Sequence, residues 1–146
     1  MTDVTDSGDD LANEVVQLLV AMSGRLSRHF AACAAEFGLS AGEGKVLLAL
    51  EPGEPRPMRV IARKLGYDAS NLTAVVDRLE DRGVLRRCPD PADRRVKALV
   101  ATDSGLLLTR RLAERLRAGQ GPVHALTVPQ LRQLRGLLRR AMAGET

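Results

Sequence analysis

A chain of 146 residues, 45% hydrophobic, is long enough for a real core, and its length favours one compact unit over several independent domains. Its only aromatics are Phe30, Phe37 and Tyr67, so the core must come from Leu, Val and Ala, which suits helices better than sheets. No run of about 18 apolar residues exists, which excludes a helical membrane span.

Two cysteines, Cys33 and Cys88, stand 55 residues apart without a C-x-x-C pairing. Neither a disulfide framework nor a metal site is expected, and no cofactor motif is present. The chain opens on Asp3, Asp6, Asp9 and Asp10, the opposite of a basic and then apolar secretory signal. A reduced, cytoplasmic protein is the resulting expectation. The net charge of +4 is unevenly spread. Residues 1–55 carry 3 basic and 9 acidic side chains, residues 56–97 carry 11 and 6, and residues 98–146 carry 8 and 3. A basic middle segment is what neutralising phosphates requires, although 19 Arg against 3 Lys also reads as a solvated surface.

Residues 1–10 read as a flexible tail. A first helix is expected over 11–37, with Val15, Leu19, Met22, Leu26, Phe30, Cys33 and Phe37 forming a narrow stripe near a 3.5-residue repeat. Gly38 ends it as a left-handed cap. Ser40 starts a second helix holding Val46, Leu47 and Leu50, in which Gly42 and Gly44 are weak helix formers that suggest mobility. Residues 51–57 are a loop by their prolines. Pro57 suits the first position of a third helix to Leu65, with Ile61, Ala62 and Leu65 inward. After Gly66-Tyr67, Asp68 caps a fourth helix running to about Arg82, whose inner face is Leu72, Val75, Val76 and Leu79.

Past Gly83 the period changes. Val84–Cys88 and Val96–Ala101 read as strands joined by the polar loop Pro89-Asp-Pro-Ala-Asp-Arg-Arg95. Thr102 caps a fifth helix through Leu106, Leu108, Leu112 and Leu116. Thr127 and Gln130 form a capping box for a sixth, striped by Leu131, Leu134, Leu137 or Leu138, and Met142.

The predicted fold class is therefore mainly α with a small β-hairpin wing. A winged helix-turn-helix domain over 38–101 is joined by helices from both chain ends, 11–37 and 102–146. Those outer helices carry apolar stripes without an obvious partner in so small a domain, and a second copy of the chain would cover them. A homodimer also places two reading helices about a two-fold axis, as a pseudo-palindromic operator demands.

The run Leu65–Leu85 with its D-R-L-E-x-R-G motif, the D-x-x-D-R-R of Asp90–Arg95, and the L-x-x-T-x-x-G of Leu99–Gly105 together resemble the MarR family of transcription regulators. The Leu39-Ser40 step with Val46, Leu47 and Leu50 also fits, and together with the outer helices the resemblance covers nearly the whole chain. It implies a homodimeric repressor of double-stranded DNA, released by a small phenolic or lipophilic effector or by cysteine oxidation.

On the fourth helix, Ser70, Thr73, Ala74, Asp77 and Arg78 lie opposite the apolar face, flanked by Asn71. Hydroxyl, amide and guanidinium groups suit base edges and phosphates, and Ala74 suits a thymine methyl. Ser70 and Asn71 read equally as capping residues. Asp77 is acidic where DNA would lie and is expected to orient an arginine. At the wing, Arg94 and Arg95 suit a narrow minor groove, with Asp93 orienting one of them; Arg95 matches the family arginine. Arg25 and His29 are candidate effector ligands between the outer helices and the winged domain. Cys33 and Cys88 are candidate redox groups, although Cys33 falls on an apolar stripe.

An enzyme is disfavoured, because no nucleophile elbow, Walker loop, dinucleotide fingerprint or zinc-protease motif appears. The leading reading is a ligand-released repressor. The alternatives are a redox-switched repressor using Cys33 or Cys88, and a constitutive DNA-binding protein without an effector.

Overall fold

The short polar side chains of Ser40, Asp68 and Thr127 set the starts of the helices that follow them in the computed structural model, which describes residues 7–119 and 121–144. Helix α1 is Gly8–Ala35, α2 Ala41–Ala49, α3 Met58–Leu65, α4 Ala69–Asp81, α5 Asp103–Ala118 and α6 Val128–Ala143. Strands β1 (Arg56–Pro57), β2 (Leu85–Pro89) and β3 (Lys97–Ala101) form one antiparallel sheet in the order β1-β3-β2. Ser40 accepts from the Glu43 amide at 3.1 Å while the Glu43 carboxylate accepts from the Ser40 amide at 2.8 Å, a reciprocal box that satisfies two end donors of α2. Thr127 and Gln130 repeat the device on α6. Gly38, Gly66 and Gly83 all sit at positive φ, where a side chain would be strained; Gly66 and Gly83 close α3 and α4.

The chain divides into two compact units. One is Phe30–Ala118; the other is the chain up to His29 together with Gly119 onward. The Phe30–Ala118 unit holds the core, in which Leu47, Ile61, Leu72, Leu79, Leu85, Leu99 and Leu112 are sealed from solvent. Burying each such side chain contributes about 1.5–3 kcal/mol. This unit extends beyond residues 38–101: the last turns of α1 supply Cys33 and Ala34 to the core, and α5 supplies Leu112. In the other unit, α6 buries none of its side chains, and Leu11, Val15, Leu19, Leu26, Leu137 and Met142 all stand exposed.

Four expectations are corrected. The tail expected over residues 1–10 falls partly outside the described residues, and Gly8–Asp10 already belong to α1, where Asp9 and Asp10 complement the helix dipole. The sheet has three strands rather than two. Arg56–Pro57 pairs with Leu99 and Ala98, and an edge position suits a residue with no N–H to donate. Pro57 accordingly precedes α3 as its cap instead of starting it. Finally, Gly42 and Gly44 are close-approach positions inside a well-formed α2. A β-carbon on Gly44 would stand 3.2 Å from Leu112 and 3.3 Å from the Phe30 ring, and one on Gly42 would stand 3.3 Å from the Tyr67 hydroxyl.

Candidate nucleic-acid interface

Helix α4 starts where the Asp68 carboxylate accepts from the Asn71 amide at 2.7 Å. The Ser70 hydroxyl and the Asn71 side-chain amide donate to the same carboxylate at 2.9 and 3.1 Å. The Asn71 backbone amide first, and the Ser70 hydroxyl next, hold Asp68 below the usual aspartate range. The capping role weighed for Ser70 and Asn71 is therefore realised, and both side chains remain exposed at the helix start. Thr73 donates back to the Ala69 carbonyl at 2.8 Å. The face opposite the buried Leu72, Val75, Val76 and Leu79 presents Thr73, Ala74, Asp77 and Arg78 to solvent.

Three arginines hold this helix in place. Arg78 donates from Nε to Glu43 Oε1 at 3.1 Å, joining α4 to the only buried charged residue among those described. Arg82 donates to the Gly38 and Phe37 carbonyls at 2.6 and 3.2 Å, covering the end of the chain segment that follows α1. Arg87, on β2, donates to Asp77 and to Glu80 at 2.5 Å each, and its amide donates to Glu80 at 3.0 Å. Glu80 is lowered by that amide first and by the guanidinium next, while Arg87 is raised, chiefly by Asp77. Asp77 does orient an arginine, as its sequence position suggests. Its partner Arg87 was not singled out from sequence; the alternation of β2 after the buried Leu85 is the signal that puts Arg87 and Leu85 on one side of the strand.

The wing loop is internally braced. Asp90 and Val96 are bonded amide to carbonyl at 2.9 Å, and the Asp90 carboxylate accepts from the Ala92 amide at 2.8 Å. Asp93 accepts from the Arg95 amide and from its guanidinium at 3.1–3.2 Å, which holds Asp93 below the usual range, the side-chain bond first. Arg95 is nonetheless 91% exposed: it is aimed without being covered. Arg94 is exposed beside it. On α3, Arg59, whose charge also lowers Asp93, is a further cation beside Arg94 and Arg95; nothing in the amphipathic pattern separates it from an ordinary surface arginine.

The remaining candidates lie elsewhere. Cys33 is 1% exposed in the core, whereas Cys88 is half-buried on β2 beside Arg87, Arg94 and Arg95. Arg25 and His29 line a 390 Å³ pocket with Arg28, Gly121, Pro122, His124 and Ala125. Among the described residues no group of His, Cys, Asp and Glu is arranged to hold a metal, and no helix is long and apolar enough to cross a membrane.

A short helix, a tight turn, a capped helix with a polar outer face and a braced two-stranded hairpin define a winged helix-turn-helix DNA-binding protein. The model of the MarR family matches residues 37–96. CouR from Rhodococcus jostii RHA1, solved with p-coumaroyl-CoA bound, is similar at 30% identity over 93% of this chain and 96% of that one, with a TM-score of 0.78. A MarR-family transcriptional regulator from Rhodococcus sp. RHA1 is similar at 30% identity over 88% and 92% of the two chains, with a TM-score of 0.76. The apo form of wild-type MarR from E. coli shares the fold, with 21% identity over 86% and 93% of the two chains and a TM-score of 0.74. No protein of curated function matches the chain by sequence. The chain belongs to the MarR family, whose members are DNA-binding transcription regulators and not enzymes.

Proposed function

We propose that the protein is a homodimeric repressor that grips a pseudo-palindromic operator through α4 and the wing and releases it when a small molecule binds. The observation that carries the DNA-contact assignment is Arg95. Asp93 fixes its guanidinium in one direction, yet solvent surrounds it, so the charge is aimed outward from the braced loop in a way suited to a minor groove. Ser70, Asn71, Thr73, Ala74 and Arg78 supply the major-groove face, and Arg94 supports Arg95. Homodimerisation is favoured by the exposed apolar residues of α1 and α6, which a second copy would bury. Release by a ligand is favoured by the CouR relative, which was solved with p-coumaroyl-CoA, and by the pocket at Arg25 and His29.

Selection of bound sequences from random DNA by the purified protein tests the reading. A two-fold motif is expected, bound by a species of twice the chain mass in light scattering. Sequence-indifferent binding, or binding by a monomer, would reject it.

A further inference from the structure

Arg25, Arg28 and His29 stand at i, i+3 and i+4 on α1, so all three project from one helix face. The turn that follows Gly119 brings a second imidazole, His124, to the same 390 Å³ open pocket. Gly121 lies against His29: a β-carbon there would stand 3.8 Å from its Nε2. The Gly121 carbonyl accepts from the His124 amide at 3.0 Å, which shapes the turn carrying that imidazole. Pro122 and Ala125 complete an apolar wall.

The lining contains no carboxylate, and none lies in sequence between residues 119 and 144. Arg25 and Arg28 have no ion pair among the described residues, a state they share with most arginines of the chain, and what distinguishes them is that they converge on one pocket. Like charges stacked on one helix face repel, and a bound anion removes that repulsion. Two guanidinium forks and two imidazoles offer more donors than one carboxylate can accept, while the oxygens of a pyrophosphate match them.

We infer that the pocket formed by Arg25, Arg28, His29 and His124 is a phosphate-binding site, which seats the pyrophosphate of a coenzyme A thioester or a smaller phosphate-bearing ligand. It deepens the ligand-released reading above, and its role in regulation rests on that reading. The volume lies at the small end of ligand pockets, about 300–1,000 Å³, and holds the charged part of a ligand whose acyl part extends beyond it.

The test is calorimetric titration of the full-length protein with coenzyme A, inorganic pyrophosphate and pantetheine, the last lacking phosphate. The expected result is binding of coenzyme A, pyrophosphate or both, no binding of pantetheine, and affinity lowered about tenfold by Arg25→Ala and by Arg28→Ala. Arg132→Ala, on α6 outside the pocket, leaves it unchanged. Arg25→Lys and Arg28→Lys keep the charge and lose the fork, so they guard against a variant that fails to fold and should fall between wild type and alanine. Binding of pyrophosphate but not coenzyme A supports the site and assigns it the smaller ligand. Binding of neither, or binding that all the variants retain, overturns the site. Gel shifts of the same variants separate the two readings. Coenzyme A binding that never alters operator affinity keeps the site and sinks ligand release; operator release by another molecule, unaffected by the variants, does the reverse.

Discussion

Arg78 of α4 reaches back 35 residues to Glu43, whose carboxylate also closes the cap of α2. One buried acid thus starts one helix and positions another. Glu43→Gln keeps the capping box, since glutamine serves at that position, and removes only the charge. A loss of about 0.5–1 kcal/mol is expected, because Arg78 is more than half exposed and solvent screens the pair. Glu43→Ala removes the cap as well and should cost about 1–3 kcal/mol. Urea unfolding of both variants checks the difference; equal losses would mean that the ion pair, and not the cap, carries the role.

Arg87 and Arg95 should fail in different ways. Arg87→Ala unties the wing strand from Asp77 and Glu80 and leaves Arg95 in place. DNA binding must then order the wing afresh, at about 0.5–1.5 kcal/mol, without any change in the number of phosphates neutralised. Arg95→Ala should weaken binding by about 1–3 kcal/mol and lower the salt slope by about one. Gel-shift titrations across a salt series distinguish them. An unchanged slope and affinity for Arg95→Ala would remove it from the interface.

The local chemistry of this chain was legible in its residues. Ser40, Asp68 and Thr127 cap helices, Gly38 adopts positive φ, Gly66 and Gly83 end α3 and α4, and Leu72, Val75, Val76 and Leu79 face the core, all as the sequence predicts. What escaped was non-local. Strand β1 is two residues long and exists only because β3 offers an edge, so Arg56-Pro57 carries no alternation to read. Arg87 looks like any strand arginine until α4 brings Asp77 and Glu80 to it. Gly42 and Gly44 look like poor helix formers until Tyr67, Phe30 and Leu112 arrive beside them. Propensity describes one segment, whereas these roles belong to pairs of segments.

Acid should loosen the start of α4 and the wing together. Asp68, Glu80 and Asp93 are all held below their ordinary values by hydrogen bonds made to the charged form. Their contribution is fully present above those ordinary values, 3.8 for the aspartates and 4.5 for Glu80, and is lost as pH falls through the lower folded-state values. Stability should therefore hold through neutral pH and decline below about pH 4.5. Asp68→Ala should flatten part of that decline and, at neutral pH, speed hydrogen exchange of the Asn71 amide. Exchange as slow as in wild type would show that Asp68 does not hold the first turn.

The most severe single change is expected at Gly105, the last residue of the L-x-x-T-x-x-G run. Thr102 donates its amide to the Val84 carbonyl at 3.1 Å, and its hydroxyl accepts from the Gly105 amide at 3.2 Å, which draws the first turn of α5 onto the strand entry. A β-carbon on Gly105 would fall 1.8 Å from the Val84 oxygen and 2.8 Å from its carbonyl carbon. Both are backbone atoms, so no rotamer relieves the clash; α5 must move away from Val84 and give up the Thr102 bonds. Gly105→Ala should cost about 3 kcal/mol or more, well above an ordinary glycine-to-alanine change in a helix, which is stabilising where space allows. Gly136→Ala, on α6 with nothing within 4 Å of the added carbon, is the matched control and should be neutral or stabilising. Thermal unfolding of the pair decides it: similar melting temperatures would mean that α5 does not pack on Val84 as closely as its backbone bonds require.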